Sequence, residues 1–513
     1  MPESDLIKTG IRGFDAICLG GIPRTNVVLV QGVTGSGKTL MGLEFIYNGI
    51  VQYNEPGLVV VFETSPEKLV RDAAGFGWNL DELQLQKKLQ IIFTSPQILD
   101  QELRAPDSLL LETAVEMGAQ RIFIDGIGLL RTSSGDNPGR GGYRELLQQL
   151  MESLNRENLT ALLSLETGRA TDSVSAMEIT DFLADTVIEL GRERRGRHMY
   201  RSLEVIKSRG QDYEAGEHTL RITPGQGLEV FRRVQAPLRQ NTKNQPTSGT
   251  MRSVIGVDAV DTLIGGGVFD GSTTMVVGVS GAGKTVLATQ ILREGAMKQK
   301  KRGLLISLDE HPAQIIRNAQ TLGLNLGEQV ADGTIRILFE SPQELDVDVH
   351  YARIVQLVEE HDIQRMVIDG MTSYSTAIGE LSIYRDFFHA IVAYSKQRLM
   401  TTFFNYENPE FLGISSYMPD FPVSSIVDNL ILMSLVEINN SLHRCMSVVK
   451  SRGSKHSFDT REFVIGKGGI SLVPLEENLV PKEALQRYSS LLSRAPTRIS
   501  QSRKTNGAVN TTP

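Results

Sequence analysis

At 513 residues, with 40% hydrophobic and 22% charged side chains, the chain is too long for one ordinary core and has the composition of a soluble globular protein. No apolar run is long enough to span a bilayer, and the start, MPESDLIKTG, has neither the basic flank nor the apolar core of a secretory signal, so a cytoplasmic protein with no membrane partner is expected. The formal charge of −7 argues against nucleic acid as a partner, and two distant cysteines, Cys18 and Cys445, offer neither a disulfide framework nor zinc spacing.

Short β-rich apolar runs alternate with amphipathic stretches: NVVLVQG from Asn26, GLVVVFE from Gly57, LQIIFT from Leu89, RIFID from Arg121 and TALLSLE from Thr160. Continuous apolar runs of this kind predict buried parallel strands in βαβ units. The first run leads into GVTGSGKT, Gly32 to Thr39, which matches G-x-x-x-x-G-K-T in the required place between a strand and a helix. Backbone amides of Thr34, Gly35, Ser36 and Gly37, with Leu40 opening the helix, are expected around the phosphates of ATP. Lys38 is expected on the outer phosphates, and Thr39 offers its hydroxyl to Mg2+. Asp125 ends the fourth run and is the candidate metal-side carboxylate, the competing reading being a cap for the next segment. Glu63, ending the second run, is the candidate catalytic base, against the reading of a solvated loop acid. In KSRG, Lys207 and Arg209 flank Ser208 at i and i+2, so both reach one polyphosphate if the segment is a strand; a cationic edge that discourages aggregation is the alternative.

After a polar stretch from Gln235 to Met251 with linker composition, the whole pattern returns. The runs are now TMVVGV, GLLISLD, IRILFE, RMVID and TTFFNY, and GVSGAGKT supplies Ser280, Gly281, Ala282, Gly283, Lys284, Thr285 and then Val286. Asp369 repeats the metal-side acid, Asp309 and Glu310 the base, and Lys450, Ser451 and Arg452 the KSRG segment. The spacing between matched landmarks is nearly constant, so the copies are a duplication over almost the whole chain. The expected architecture is α/β: two tandem RecA-like P-loop NTPase domains, each a mainly parallel sheet flanked by helices. The boundaries fall at 1–234, a linker 235–251, a second domain 252–485, and a terminal segment and polar tail 486–513.

GFDAICLGGIP from Gly13, both phosphate loops, the acids after the second strand, both KSRG segments and APTRIS from Ala495 together resemble the duplicated circadian clock ATPases called KaiC, from about Leu6 to Ile499. The resemblance implies a homohexameric double ring with ATP between neighbouring subunits. It implies slow hydrolysis in the N-terminal copy and self-phosphorylation in the C-terminal copy, with a KaiB-like protein or a signalling kinase as partner. It implies that Lys207, Arg209, Lys450 and Arg452 act on the neighbour's ATP, and that Arg444, Ser454 and His456 touch nucleotide. The acceptor pair of the family falls in PVSSIVDNLIL as Ser424 and Ser425, whose hydroxyl attacks once a carboxylate such as Asp309 takes its proton.

Departures from the family pattern carry expectations of their own. Thr64 follows Glu63 where the family has a second glutamate, and Asp309 is one methylene shorter than the family's base. Leu322 stands where the family has an aromatic beside adenine, and the short ending QSRKTNGAVNTTP argues against dependence on KaiA. Two other functions share the same loops: a RecA-like DNA-dependent ATPase, which the acidic charge and the duplication count against, and a hexameric scaffold that nucleotide merely organises.

Overall fold

A computed structural model of the chain describes residues 5–104, 108–132, 140–167, 183–195, 198–235, 251–407 and 426–474. It divides into two compact units, 1–233 and 234–513. Val234 is buried in the second, its amide donating to Asp348 Oδ1 at 2.9 Å. Among the described residues no helix is long and apolar enough to cross a membrane.

The first unit is built on a nine-stranded sheet. Its strands are β1 (Val27–Gly32), β2 (Gly57–Val61), β3 (Leu89–Phe93), β4 (Arg121–Asp125), β5 (Thr160–Glu166), β6 (Thr186–Arg195), β7 (His198–Ser208), β8 (His218–Thr223) and β9 (Gly227–Phe231), in the order β9-β8-β7-β6-β1-β5-β4-β2-β3. The pairs from β6 through β1, β5, β4 and β2 to β3 are parallel, and β7, β8 and β9 extend the sheet antiparallel. Every residue of β1 and β2 is buried, because the sheet is covered on both faces. The alternation of side chains divides the core in two. Val28, Val30 and Phe123 pack with Phe45 and Ile46 of the helix Lys38–Tyr53, whereas Val27, Leu29 and Ile124 pack with Leu147 and Leu150 of the helix Arg140–Arg156.

The second unit repeats this plan. Strands β10 (Thr273–Gly278), β11 (Gly303–Ser307), β12 (Ile335–Phe339), β13 (Arg365–Asp369), β14 (Thr401–Glu407), β15 (Asn429–Ile438), β16 (Ser441–Ser451), β17 (Arg461–Gly466) and β18 (Gly469–Leu472) run in the order β12-β11-β13-β14-β10-β15-β16-β17-β18. The helix Lys284–Gln299 covers one face and Leu381–Gln397 the other: Val276 and Val367 pack with Leu287 and Ile291, and Met275 and Ile368 with Phe387 and Phe388. Each unit is thus an α/β layered fold with its loops gathered at the carboxyl edge of the parallel strands, where ligands of such sheets bind.

Candidate active sites

At the carboxyl end of β1 the chain turns through Gly32 to Gly37 into the helix Lys38–Tyr53. Gly37, at φ 114°, and Gly283, at φ 104°, cap their helices in a left-handed conformation that only glycine adopts cheaply. Lys38 Nζ donates to its own loop at Gly32 O (2.8 Å) and Val33 O (2.9 Å), and Lys284 Nζ to Gly278 O and Val279 O (both 2.9 Å). Burial lowers the pKa of both ammonium groups; Glu166 and Asp125 oppose this for Lys38, and Glu407 and Asp369 for Lys284. Thr34 and Gly35 are exposed on the loop, as are Ser280 and Gly281, whereas Ser36 and Ala282 are buried beneath it. Leu40 and Val286 pack against the helix-covered cores.

The parallel register brings Asp125 to this edge. Thr39 Oγ1 donates to Asp125 Oδ2 at 2.9 Å, and the Ser164 hydroxyl, from β5, donates to the other carboxylate oxygen. In the second unit Asn405 Nδ2 holds Asp369 Oδ1 at 2.9 Å, and Thr285 Oγ1 lies 3.5 Å from Glu310 Oε1. Burial raises the Asp369 pKa against the pull of Asn405, Thr285 and Lys284. Burial, and then the neighbouring Asp369 charge, raise that of Glu310. Among the described residues no group of three His, Cys, Asp or Glu side chains could hold a metal ion. A hydroxyl beside one strand-end carboxylate, next to a phosphate loop, nevertheless fits Mg2+, which keeps waters and takes its remaining ligands from phosphate oxygens.

Glu63 is exposed two residues past β2, with half-buried Thr64 beside it. Asp309 is exposed two residues past β11, where it accepts from Ser373 Oγ at 2.6 Å, and half-buried Glu310 is held by Asn318 Nδ2 at 3.4 Å. Both acids therefore stand at the same sheet edge as the loop of their own unit.

The KSRG segments do not. In register, Ser208 pairs with Thr186 and Thr186 with Val28, four residues before Gly32; Ser451 pairs with Asn429 and Asn429 with Thr274, four before Gly278. Four strand residues span about 13 Å. The two segments are built alike: Lys207 Nζ donates to Ala184 O and Lys450 Nζ to Val427 O, both at 2.6 Å, while Arg209 pairs with Asp185 and Arg452 with Asp428, both at 3.7 Å. Ser208 Oγ meets Thr186 Oγ1 at 3.3 Å, and Ser451 Oγ donates to Asn429 Oδ1 at 3.0 Å. Burial, and then Arg452, lower the Lys450 pKa.

Arg444, Ser454 and His456 separate between these two ends. Arg444 Nε reaches Gly281 O of its own loop at 3.4 Å, whereas Ser454 Oγ, just past the KSRG end, accepts from Arg252 at 2.6 Å. His456 lies two residues further and packs against Phe458, ring centroids 4.6 Å apart. Leu322 caps the helix Pro312–Thr321, and its carbonyl accepts from the Gly468 amide at 2.7 Å. Its repeat counterpart, Phe76, stacks on Trp78 at 5.2 Å. Ser424 and Ser425 lie outside the described residues.

Contacts at the loop edges also involve residues absent from the sequence reading: Ser164 and Asn405 on the metal-side acids, Ser373 on Asp309, Asn318 on Glu310, and Glu166, which accepts from the Thr34 hydroxyl. In the first unit Arg192 Nη1, from β6, donates to Thr34 O at 3.3 Å. A polar residue interrupting an apolar strand was the available signal for Ser164 in TALLSLE and Asn405 in TTFFNYE.

Comparison with known proteins agrees with this geometry. The family model "ATPase: KaiC" matches the chain twice, over residues 7–235 and 254–477. The chain is 30% identical over 509 residues to the circadian clock oscillator protein KaiC of Thermostichus vulcanus, covering 98% of this chain and 94% of the relative. It is 30% identical over 499 residues to that of Prochlorococcus marinus (strain MIT 9313), covering 96% of each. Against that of Synechococcus elongatus it is 30% identical over 505 residues, covering 97% and 93%. With the family unit present twice and the likeness running nearly end to end, the chain belongs to the KaiC ATPase family.

Proposed function

We propose that the chain assembles as a homohexamer that binds two ATP molecules per subunit, hydrolyses ATP in its N-terminal unit, and in its C-terminal unit phosphorylates itself on Ser424 and Ser425 and removes that phosphate again as an autophosphatase. One observation carries the reading. Lys207 with Arg209, and Lys450 with Arg452, sit about 13 Å along the sheet from the loop of their own unit, so they serve a triphosphate only on another copy. A contact in which one end of a subunit completes the opposite end of the next is heterologous, and it closes into a ring when the rotation permits.

In each pocket Lys38 or Lys284 exchanges its loop carbonyls for outer phosphate oxygens, and the loop amides take the rest. Thr39 with Asp125, and Thr285 with Asp369, would hold Mg2+, which when bound would neutralise charge on the phosphates. Glu63 orients and deprotonates the attacking water. In the second unit Asp309, beside Glu310, takes the proton of a serine hydroxyl as its oxygen bonds to the γ-phosphorus and ADP departs. A regulatory role in circadian or related signalling, with a KaiB-like protein or a signalling kinase as partner, is proposed from the clock proteins it resembles.

Native mass spectrometry with and without MgATP tests the assembly: a hexamer carrying nucleotide is expected, and a single-chain species empty at millimolar MgATP would sink the proposal. Intact-mass measurement tests the kinase. Phosphate should appear on the wild type and vanish in Ser424→Ala/Ser425→Ala; an unchanged level in the double variant removes self-phosphorylation at these serines. Phosphate release should fall in Glu63→Gln, whereas background release in both proteins would favour a nucleotide-organised scaffold.

A further inference from the structure

We infer that Ser373 is a positioning residue for the Asp309 carboxylate, and that a strut of Glu340 and the buried His350 and Tyr374 locks the helix that carries it. The inference rests on the proposed role of Asp309 as proton acceptor and adds what aims it. Asp309 is exposed two residues past β11, so its own strand leaves the side chain free to turn. Two features of the next element hold it. Ser373 Oγ donates to Oδ1 at 2.6 Å, and Gly370 admits the carboxylate to the start of the helix Met371–Ile378, where any side chain would overlap Oδ2.

The setting of that helix is fixed one residue further on. Tyr374 is fully buried and stacks on Phe387, ring centroids 5.1 Å apart. Its hydroxyl lies 2.6 Å from Nε2 of His350, itself fully buried, and His350 Nδ1 lies 2.6 Å from Glu340 Oε2. Adjacent helix residues point about 100° apart, so Tyr374 facing the core leaves Ser373 facing the loop edge. Turning the helix enough to withdraw Ser373 would break the short hydrogen bond between Tyr374 and His350, two groups that have no water to replace it.

In the first unit Leu129 and Leu130 stand at the matching positions, in a 3-10 segment, Ile127–Thr132, and the acid there is Glu63. The strut therefore accompanies the shorter acid. A carboxylate one methylene closer to its backbone has less reach, and misplacement of a reacting group by about 1 Å costs on the order of a hundredfold in rate.

The test is the initial rate of phosphate incorporation into the full-length assembly, followed by intact mass at varied MgATP, with Asp309→Asn as reference. Ser373→Ala should lower the rate at saturating ATP about ten- to a hundredfold with little change in the KM for ATP. Ser373→Thr, which keeps the hydroxyl, should recover most of it. Tyr374→Phe, which keeps the ring and deletes the bond to His350, should give a smaller loss of the same kind. A wild-type rate in Ser373→Ala beside an inactive Asp309→Asn overturns the inference and leaves Asp309 as base. A loss in Ser373→Thr as large as in Ser373→Ala also overturns it, as does phosphate mapped to Ser373 itself, which would make the hydroxyl an acceptor. A wild-type rate in Asp309→Asn removes the reading beneath it.

Discussion

Glu44 and Gln290 occupy matching positions on the two loop helices and clamp matching hairpins with different chemistry. Glu44 Oε2 accepts from the Leu228 amide at 2.7 Å; Gln290 Oε1 accepts from the Ile470 amide at 2.8 Å, and its Nε2 donates to Ile470 O at 3.3 Å. An amide does this uncharged, whereas burial pushes the Glu44 carboxyl up to about 7, against the pull of the Leu228 amide. The folded pKa exceeds the ordinary 4.5, so the protonated form is favoured by folding and its contribution is complete below pH 4.5. That contribution disappears as pH rises through about 7, a loss of about 3 kcal/mol. Glu44→Gln should therefore raise the melting temperature of the first unit at pH 8.5 and much less at pH 5. Equal shifts at both would show that Glu44 does not titrate in this range. At this scale the loop lysines, threonines and strand-end acids were legible because motif and strand boundary locate them together. Ser373 was not, since its bond to Asp309 depends on how a helix is rotated rather than on any spacing.

Elements show the same duplication with compensating volumes. Gly42, on the helix Lys38–Tyr53, lies over Phe123 of β4 so closely that a methyl group would overlap the ring; Ala288 and Val367 take the two places in the second unit. A small residue over a large one has become a larger residue over a smaller one. Gly42→Ala alone should cost about 1–3 kcal/mol by overpacking. Gly42→Ala/Phe123→Val should recover at least about 1 kcal/mol relative to the sum of the single variants, which a double-mutant cycle in urea measures. Strict additivity would mean the helix shifts to relieve the clash. The central parallel runs read in each copy were legible because both faces of those strands are buried, and the edge strands β3 and β12, only partly buried, because their apolar residues are contiguous. β6 and the antiparallel extension beyond it were harder to see: β7 buries only Leu203 and Val205 and β6 carries Arg192, Glu193 and Arg194, so neither reads as an apolar run.

For the whole molecule, two loops of the same build predict two independent nucleotide sites per chain. Lys38→Ala and Lys284→Ala should each reduce extracted nucleotide from two to about one per chain, and only Lys284→Ala should abolish phosphate incorporation. Retention of both nucleotides in either variant would refute the assignment of that lysine. The duplication itself was plain from repeated loops and KSRG segments, while the placement of KSRG at the far end of each sheet needed strand order and register, which no local pattern encodes.

That placement has a genetic corollary. Under the proposed ring, a chain carrying Arg209→Ala keeps its own loop whole and harms the subunit beside it, while a chain carrying Lys38→Ala harms only itself. Mixed before assembly, the two inactive parents should yield some junctions made of one intact loop and one intact Arg209, and hydrolysis would reappear. Complementation between dead alleles is thus written into the direction in which the strands run.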